Sequence, residues 1–216
     1  MRLLLRSKTS RNSRRKEAFA NAKARITTLE IKKSLTTYDL KTGTLSGEGT
    51  SHAAKKLSDV AGIFGDQAVA AAMDPNTIVY EVDSHMAVPE GTPGGLFFGT
   101  SRIHPGKVGN EYFMTKGHFH NRRETAEYYW GISGTGVLLL MDETGNAWAE
   151  QVEPGSLHYI GGHIAHRLVN TGEEDLIVGA CWPSDAGHDY GSIERSGFPI
   201  RVICRDGKAV LEENKA

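Results

Sequence analysis

Two histidines one residue apart, His118 and His120, begin the part of the sequence that could do chemistry. In an extended segment successive side chains point to opposite faces, so these two imidazoles share a face and can converge on one ion. A carboxylate follows at Glu127 and a further imidazole at His166. Three imidazoles and one carboxylate leave open positions on an octahedral ion and suit Fe(II), Mn, Ni or Zn better than Ca or Mg. The set predicts a metal site that a substrate can enter.

Short strands must position these residues. The C-terminal two thirds of the sequence is a series of apolar or alternating runs separated by turn signals such as Ser133-Gly134. So many short strands predict a β-sandwich or barrel of the jelly-roll kind, and we assign the chain to the all-β class. The period of two places Glu127 and Tyr129 on one face of their strand, beside the metal. The predicted strands cover residues 77–82, 96–103, 111–115, 126–132, 136–141, 147–152, 157–160, 167–170, 176–182 and 199–204.

The region before these strands has a different character. Residues 36–49 are polar and contain glycine, which favours a linker or an edge arm. Two short helices are predicted, over residues 51–57 with Ser51 as the cap and over residues 66–73. We therefore divide the chain into a basic N-terminal extension (1–35), an arm with short helices and the first strands (36–95), the barrel (96–204) and a C-terminal tail (205–216).

Composition narrows the class of protein. With 216 residues, 39% of them hydrophobic and 24% charged, the chain is long enough to bury a core in one globular domain with extensions. No apolar run reaches the roughly 18 residues that a membrane helix needs. Two cysteines, Cys181 and Cys204, are too few for the disulfide framework of a small secreted domain. These features predict a soluble cytoplasmic protein with reduced thiols.

Charge is distributed unevenly along the chain. Residues 1–33 hold 11 of the 25 Lys and Arg residues but only two of the 26 acids, so this segment carries +9 and the rest carries −10. Such a segment is typical of a nucleic-acid or membrane contact or of an organelle transit peptide. No aromatic residue is interleaved among the basic residues of 2–16 and no strongly apolar face recurs, which favours a solvated, partly helical or disordered extension. We expect neither nucleic acid nor membrane as a partner.

Two motifs around the predicted ligands resemble those of the cupin superfamily. The first motif matches at Gly117, His118, His120, Glu127 and Gly134, and the second at Gly155, Gly161, His163, His166 and Asn170. Six residues separate His120 from Glu127 where the motif has three or four, and Gly161 and His163 replace the Pro and Gly of the second motif. The resemblance implies a cupin jelly-roll barrel with a short helical N-terminal extension.

The longer gap leaves two candidates for the carboxylate ligand. Glu124 lies four residues after His120 and is the choice of the generic motif. Turn signals favour Glu127, because Gly134 then falls in a hairpin turn, whereas Gly131 would interrupt a strand. We predict Glu127. His163 could line the site, but we expect it to be structural. We expect four further histidines to be structural or surface residues, namely His52, His85, His104 and His158.

A longer likeness covers roughly residues 54 to 204. The run DAGHDY at residues 185–190, with TKGHFH at 115–120 and AEYY at 126–129, resembles the cupin-type phosphoglucose isomerases of archaea and some bacteria. The resemblance implies a homodimeric cytoplasmic enzyme of glycolysis and gluconeogenesis that interconverts glucose 6-phosphate and fructose 6-phosphate. It also implies one divalent ion per subunit, for which we expect Fe(II) ahead of Mn, Ni or Zn. The implied sugar-phosphate contacts are Ser101, Thr115, Gly117, Tyr129, Trp182, His188 and Tyr190.

Glu127 and His188 are the expected catalytic residues. Glu127 could transfer a proton as general base through a cis-enediol, or serve only as a ligand if the hydrogen moves as a hydride. His188 could open the sugar ring or bind a sugar hydroxyl. Trp182 stands where the family commonly has a tyrosine, which keeps a ring for stacking without its hydroxyl. Two alternatives stay open: an Fe(II) cupin dioxygenase and a non-catalytic sugar-binding cupin.

Overall fold

The computed structural model describes residues 31–214, and the elements below lie in the compact unit Leu35–Ala216. Antiparallel strands dominate, which confirms the all-β class. The strands are β1 (Thr36–Tyr38), β2 (Leu45–Gly47), β3 (Thr50–Lys56), β4 (Ile78–His85), β5 (Leu96–Ile103), β6 (Lys107–Val108), β7 (Glu111–Tyr112), β8 (Glu127–Ser133), β9 (Gly136–Asp142), β10 (Ala147–Val152), β11 (Leu157–Ile160), β12 (Ile164–Asn170), β13 (Leu176–Pro183), β14 (Ile200–Arg205) and β15 (Lys208–Glu213). The helices are α1 (Leu57–Val60), α2 (Gln67–Ala72) and α3 (Tyr190–Ser196), with a 3-10 turn at Ala61–Ile63.

Two sheets carry most of the core, and the sheet β15-β14-β7-β6 adds Val108, Tyr112 and Val202 to it. The larger of the two has the strand order β11-β8-β13-β5-β4-β3, and the smaller has the order β10-β9-β12. Leu138 and Leu140 of β9, Leu168 of β12 and Val178 of β13 belong to one buried cluster, so both sheets bury side chains in a common core. Full burial of each such aliphatic side chain contributes about 1.5–3 kcal/mol. The core thereby fixes the strand ends from which the site is built.

The predicted helix over residues 51–57 is wrong. Residues Thr50–Lys56 form β3, which pairs antiparallel with β4 along the edge of the larger sheet, and α1 begins only at Leu57. Pairing with β4 satisfies the backbone groups of this segment, so the sheet edge overrides its weak helix propensity. The second predicted helix is confirmed as α2, where the side chain of Asp66 caps the helix by accepting from Val69 N at 2.9 Å.

Other segments add structure that the sequence did not predict. Residues 36–49 contain a small hairpin of β1 and β2, and β15 pairs with β14 inside the predicted C-terminal tail. The predicted strand 111–115 shortens to β7, after which only Met114 bridges to Val169. Helix α3 begins at Tyr190, the last residue of the DAGHDY run.

Several predictions about the chain as a whole stay predictions. The divisions at residues 35, 95 and 204 belong to them, and the expectations for the basic extension fall mainly on residues outside the described range. Within residues 31–214, no helix has both the length and the apolar character needed to cross a membrane.

Candidate active site

Strand pairing brings together two of the predicted ligands that are distant in the sequence, His118 and His166. His118 and His166 are direct antiparallel partners, with His118 N donating to His166 O at 3.3 Å and His166 N donating to His118 O at 3.1 Å. Directly opposed residues place their side chains on the same face, and these two rings lie 4.3 Å apart between centroids. His120 follows by the period of two, and Glu127 is the first residue of β8. The ligand atoms of all four residues lie within 4.8 Å of one another.

Gly117 makes this convergence possible. Its φ of +76° lies in the left-handed region, which only glycine adopts at little cost. A Cβ at this position would approach Phe198 Cε2 to 3.0 Å and His166 O to 3.1 Å. The motif glycine therefore allows the chain to turn into His118 against β12.

The four ligand atoms have no hydrogen-bond partner. Nε2 of each histidine and Oε1 of Glu127 are buried and unsatisfied. Glu127 Oε1 lies 2.6 Å from His166 Nε2 and 3.2 Å from His120 Nε2, so these are close polar contacts without hydrogen-bond geometry. Four lone-pair donors left unpaired in a buried cluster are costly unless a cation binds them. The residues therefore fit a divalent metal.

Contacts at Nδ1, on the side of the ring away from the cluster, determine the tautomers of His120 and His166. His120 Nδ1 lies 3.0 Å from Thr125 O and 2.9 Å from Thr125 Oγ1, and His166 Nδ1 lies 3.3 Å from Ile164 O. A carbonyl oxygen can only accept, so each Nδ1 carries the hydrogen and each Nε2 presents a lone pair to the cluster. Outer hydrogen bonds of this kind orient imidazole ligands in metal sites.

Electrostatics favours the ligand form of two members of the cluster, Glu127 and His118. Burial raises the pKa of Glu127, but the adjacent His166 and His120 outweigh burial and lower that pKa to about 2. Burial and the neighbouring His166 and His188 hold the pKa of His118 well below its usual value. Burial also lowers the pKa of His120, but Glu127 outweighs it and the net shift is upward. The lowered pKa values favour the anionic carboxylate of Glu127 and the neutral imidazole of His118, whereas the upward shift at His120 favours a proton that a bound cation would displace.

A cavity of about 180 Å³, here called the central cavity, extends from the cluster towards the surface. All the residues predicted to contact a sugar phosphate line it: Ser101, Thr115, Gly117, Tyr129, Trp182, His188 and Tyr190. The sequence did not predict Tyr80, Ser84 or Lys116, which also line it. The alternation of β4 could have indicated Tyr80 and Ser84, because residues 80, 82 and 84 share a face.

Three rings form the mouth of the central cavity. His188 lies 4.5 Å from the ring of His118, is stacked on Tyr190 at 5.8 Å and 11°, and lies 6.3 Å from Trp182. His188 and Tyr190 are exposed, whereas Trp182 is buried against Phe97. Desolvation beside the cluster lowers the pKa of His188, partly offset by the charge of Glu127. Its ring is thus neutral at pH 7.

Glu124 and His163, whose roles the motifs left open, both lie outside the cluster. Glu124 is exposed, while the side chain of Glu127 is buried among the histidines. Gly131 remains inside β8, where a Cβ would approach Glu153 O to 2.0 Å, so close packing explains this glycine. His163 is exposed, with Nδ1 3.1 Å from Glu143 Oε2. The other four histidines, His52, His85, His104 and His158, are also outside the cluster.

Sequence comparison now identifies the family. The profile of the glucose-6-phosphate isomerase (GPI) family matches residues 54–216. The glucose-6-phosphate isomerase of Thermococcus litoralis is 40% identical over 178 residues, which cover 82% of this chain and 92% of that protein. The chain belongs to the glucose-6-phosphate isomerase family. The family predicted from the DAGHDY run and the ligand motif is therefore confirmed.

Relatives of this family occur in bacteria as well as archaea. The glucose-6-phosphate isomerase of Sinorhizobium medicae is 39% identical over 169 residues, covering 76% of this chain and 78% of that protein. Among solved structures, oxalate decarboxylase from Bacillus subtilis matches with a TM-score of 0.40 at 19% identity, over 50% of this chain and 26% of that chain. Neither the dioxygenase nor the non-catalytic alternative is favoured by the family match.

Proposed function

We propose that the chain is a metal-dependent aldose-ketose isomerase that interconverts glucose 6-phosphate and fructose 6-phosphate. The observation that carries this proposal is the buried set of four unpaired ligand atoms at the base of the central cavity, in a chain of the glucose-6-phosphate isomerase family. The ion would be held by His118, His120, Glu127 and His166. When bound, it supplies Lewis acidity that polarises the sugar carbonyl.

Glu127 is proposed as the general base. Its pKa of about 2 keeps it anionic, and its buried carboxylate can take a proton from C2 of the aldose and return it to C1. Ligation weakens that basicity, and a hydride shift would leave Glu127 as a ligand alone. Isomerisation in D₂O distinguishes the two routes, because proton transfer places deuterium at the receiving carbon whereas a hydride shift does not.

His188 is proposed as the ring-opening residue. A neutral imidazole has one N–H donor and one acceptor nitrogen, so it can pass a proton between the ring oxygen and the anomeric hydroxyl. The lowered pKa of His188 supports that form, and its place at the cavity mouth leaves it accessible to the sugar.

The remaining cavity residues are proposed to bind the substrate. Ser101, Thr115 and the backbone of Gly117 offer hydroxyl and amide groups to a phosphate. Tyr129 and Tyr190 offer phenol hydroxyls to the sugar, and burial raises both of their pKa values, so both remain protonated. The indole ring of Trp182 forms part of the cavity wall. Lys116 adds a positive charge to the same cavity, although its ammonium is paired with Glu194.

The wider assignments are also proposals. We propose Fe(II) as the ion, with Mn, Ni or Zn as the alternatives that the same mixed N/O ligand set accepts. We also propose a cytoplasmic homodimer that acts in glycolysis and gluconeogenesis, without nucleic-acid or membrane partners.

The function is tested by measuring metal content and fructose 6-phosphate isomerisation together, before and after chelation. We expect activity to fall in proportion to bound metal and to return on reloading, with Fe(II) restoring the most. His166→Ala should abolish both metal binding and activity because it removes a ligand. His163→Ala is the matched control, since its ring is exposed and outside the cluster. Activity that survives complete metal removal would contradict the proposal.

A further inference from the structure

Two neighbouring arginines connect the unusually long segment after His120 to the DAGHDY run. Arg122 forms an ion pair with Asp185, and Arg123 Nη2 lies 2.5 Å from Asp189 Oδ2. The backbones are joined as well, because Arg122 N donates to Ala186 O at 3.0 Å. The two sequence features that distinguish this family from generic cupins are thus in direct contact with each other.

Arg123 is the inner member of the pair. Its guanidinium lies 4.6 Å from the ring of Phe119, and its Nη1 donates to the carbonyl oxygen of His120. Its side chain is 25% exposed, whereas that of Arg122 is 59% exposed. A charge-assisted hydrogen bond that is partly shielded from water is stronger than an exposed ion pair. Arg123 therefore joins the ligand segment to Asp189 more firmly than Arg122 joins Asp185.

Asp189 lies between the two rings of the cavity mouth. Its amide donates to Phe119 O at 2.7 Å, and its side chain accepts from Ser192 N at 3.1 Å and Ser192 Oγ at 2.6 Å at the start of α3. Asp189 is a single bridge partner of Phe119, and helix α3 begins at the next residue, Tyr190. His188 and Tyr190 line the central cavity, while the Asp189 carboxylate is bound by Arg123.

We infer that Arg123 is a positioning residue, which acts through Asp189 to fix the rings of His188 and Tyr190 over the ligand cluster. It does not line the central cavity. Holding both rings in place before the sugar binds removes an ordering cost from substrate binding. The inference rests on the substrate placement proposed above.

The test compares Arg123→Met with Arg122→Met, the same change at the adjacent position. For Arg123→Met we expect kcat/KM for fructose 6-phosphate to fall about tenfold, mostly through KM, with metal content and Tm unchanged. Arg122→Met should change kcat/KM less than twofold, and Arg123→Lys should recover most of the loss. Equal effects of the two Met variants, or a loss of metal that accounts for the loss of activity, would overturn the inference.

A double-mutant cycle tests the route through Asp189. If Arg123 acts through this carboxylate, Arg123→Met combined with Asp189→Asn should lose no more than the more damaging single change, whereas additive losses would refute the route. Calorimetric binding of glucitol 6-phosphate, which cannot be isomerised, separates this inference from the proposed function. If the wild type does not isomerise fructose 6-phosphate, only the proposed function is refuted. If the Arg123→Met variant binds glucitol 6-phosphate as tightly as the wild type does, only the positioning role is refuted.

Discussion

At the scale of single residues, we expect the affinity for the proposed metal to depend also on groups outside the four ligands. Thr125 is buried and holds Nδ1 of His120 through both its carbonyl and its hydroxyl. The hydroxyl also donates to Arg122 O at 2.7 Å, so its own orientation is determined. His120 is thus oriented by a residue that the ligand motif does not contain.

Thr125→Val keeps the side-chain shape and removes this hydroxyl. We expect metal affinity to fall about tenfold, because outer hydrogen bonds to ligands typically contribute 10–100-fold and the carbonyl contact remains. Competition with a chelator at fixed pH measures the change. Thr37→Val, an exposed threonine on β1, should leave affinity unaltered. Wild-type affinity in Thr125→Val would mean that the carbonyl alone orients the ring.

The residue scale also explains which part of the site the sequence could predict. His118, His120 and Glu127 follow from residue type, period and turn signals, which are local, whereas His166 is assigned through the second motif. His163 illustrates the limit: it occupies the glycine position of the second motif and adopts φ of +64°, a conformation that favours glycine. Its contact with Glu143, 20 residues away along the chain, could not be read from the motif.

At the scale of elements, the turn between β9 and β10 is stabilised by hydrogen bonds to one carboxylate. Asp142 accepts from Thr144 N and Asn146 N at 2.9 Å each, and from Thr144 Oγ1 at 2.7 Å. Hydrogen bonds from Thr144 and Asn146 lower the pKa of Asp142 to about 2 from 3.8. Because the folded pKa lies below the unfolded one, the stabilisation is present above pH 3.8 and is lost as pH falls towards 2.

Asp142→Asn should therefore lower the urea midpoint of unfolding at neutral pH. The difference in this midpoint between the variant and the wild type should narrow as pH decreases from about 5 towards 2. Urea titrations at several pH values measure this difference. Asp206→Asn, in the turn between β14 and β15, is a control because no hydrogen bond to its carboxylate is found in the described chain. If the difference in midpoint between Asp142→Asn and the wild type stays constant down to about pH 2, the proposed coupling between protonation of Asp142 and stability is contradicted.

Elements also show where local patterns were insufficient. The strands β5, β10 and β11 were predicted with the bounds observed, because alternation and turn residues mark them. Residues Thr50–Lys56 are polar and alanine-containing, and only the open edge of β4 makes them a strand. Helix α3 depends on its cap, Asp189, whose side chain also bonds Arg123 from a distant segment.

At the scale of the whole molecule, one face of the larger sheet carries an exposed apolar group. Tyr128 and Tyr159 are cross-strand partners with rings 5.3 Å apart, and they are 48% and 61% exposed. Leu157, on the same face of β11, is 67% exposed. Among the described strands, β11 is also an edge of its sheet. Exposed apolar groups beside a free edge are typical of interaction surfaces.

We expect this face to contribute to the proposed homodimer. Tyr159→Glu should shift the protein to monomer in sedimentation experiments, because a charge would be buried without a partner. Trp148→Glu on β10, which is 40% exposed in the other sheet, is the control and should leave the assembly unchanged. If Tyr159→Glu keeps the wild-type sedimentation coefficient, the dimer uses another face or does not form.

The reciprocal backbone bonds between His118 and His166 have a consequence for how the proposed metal would be acquired. Its ligands come from segments almost fifty residues apart, and they meet only once β12 lies against the segment before His120. Closing so long a loop is slow compared with local turns, so a growing chain offers an ion His118, His120 and Glu127 before His166 joins them. We therefore expect the complete set of four ligands to form only after β12 has folded.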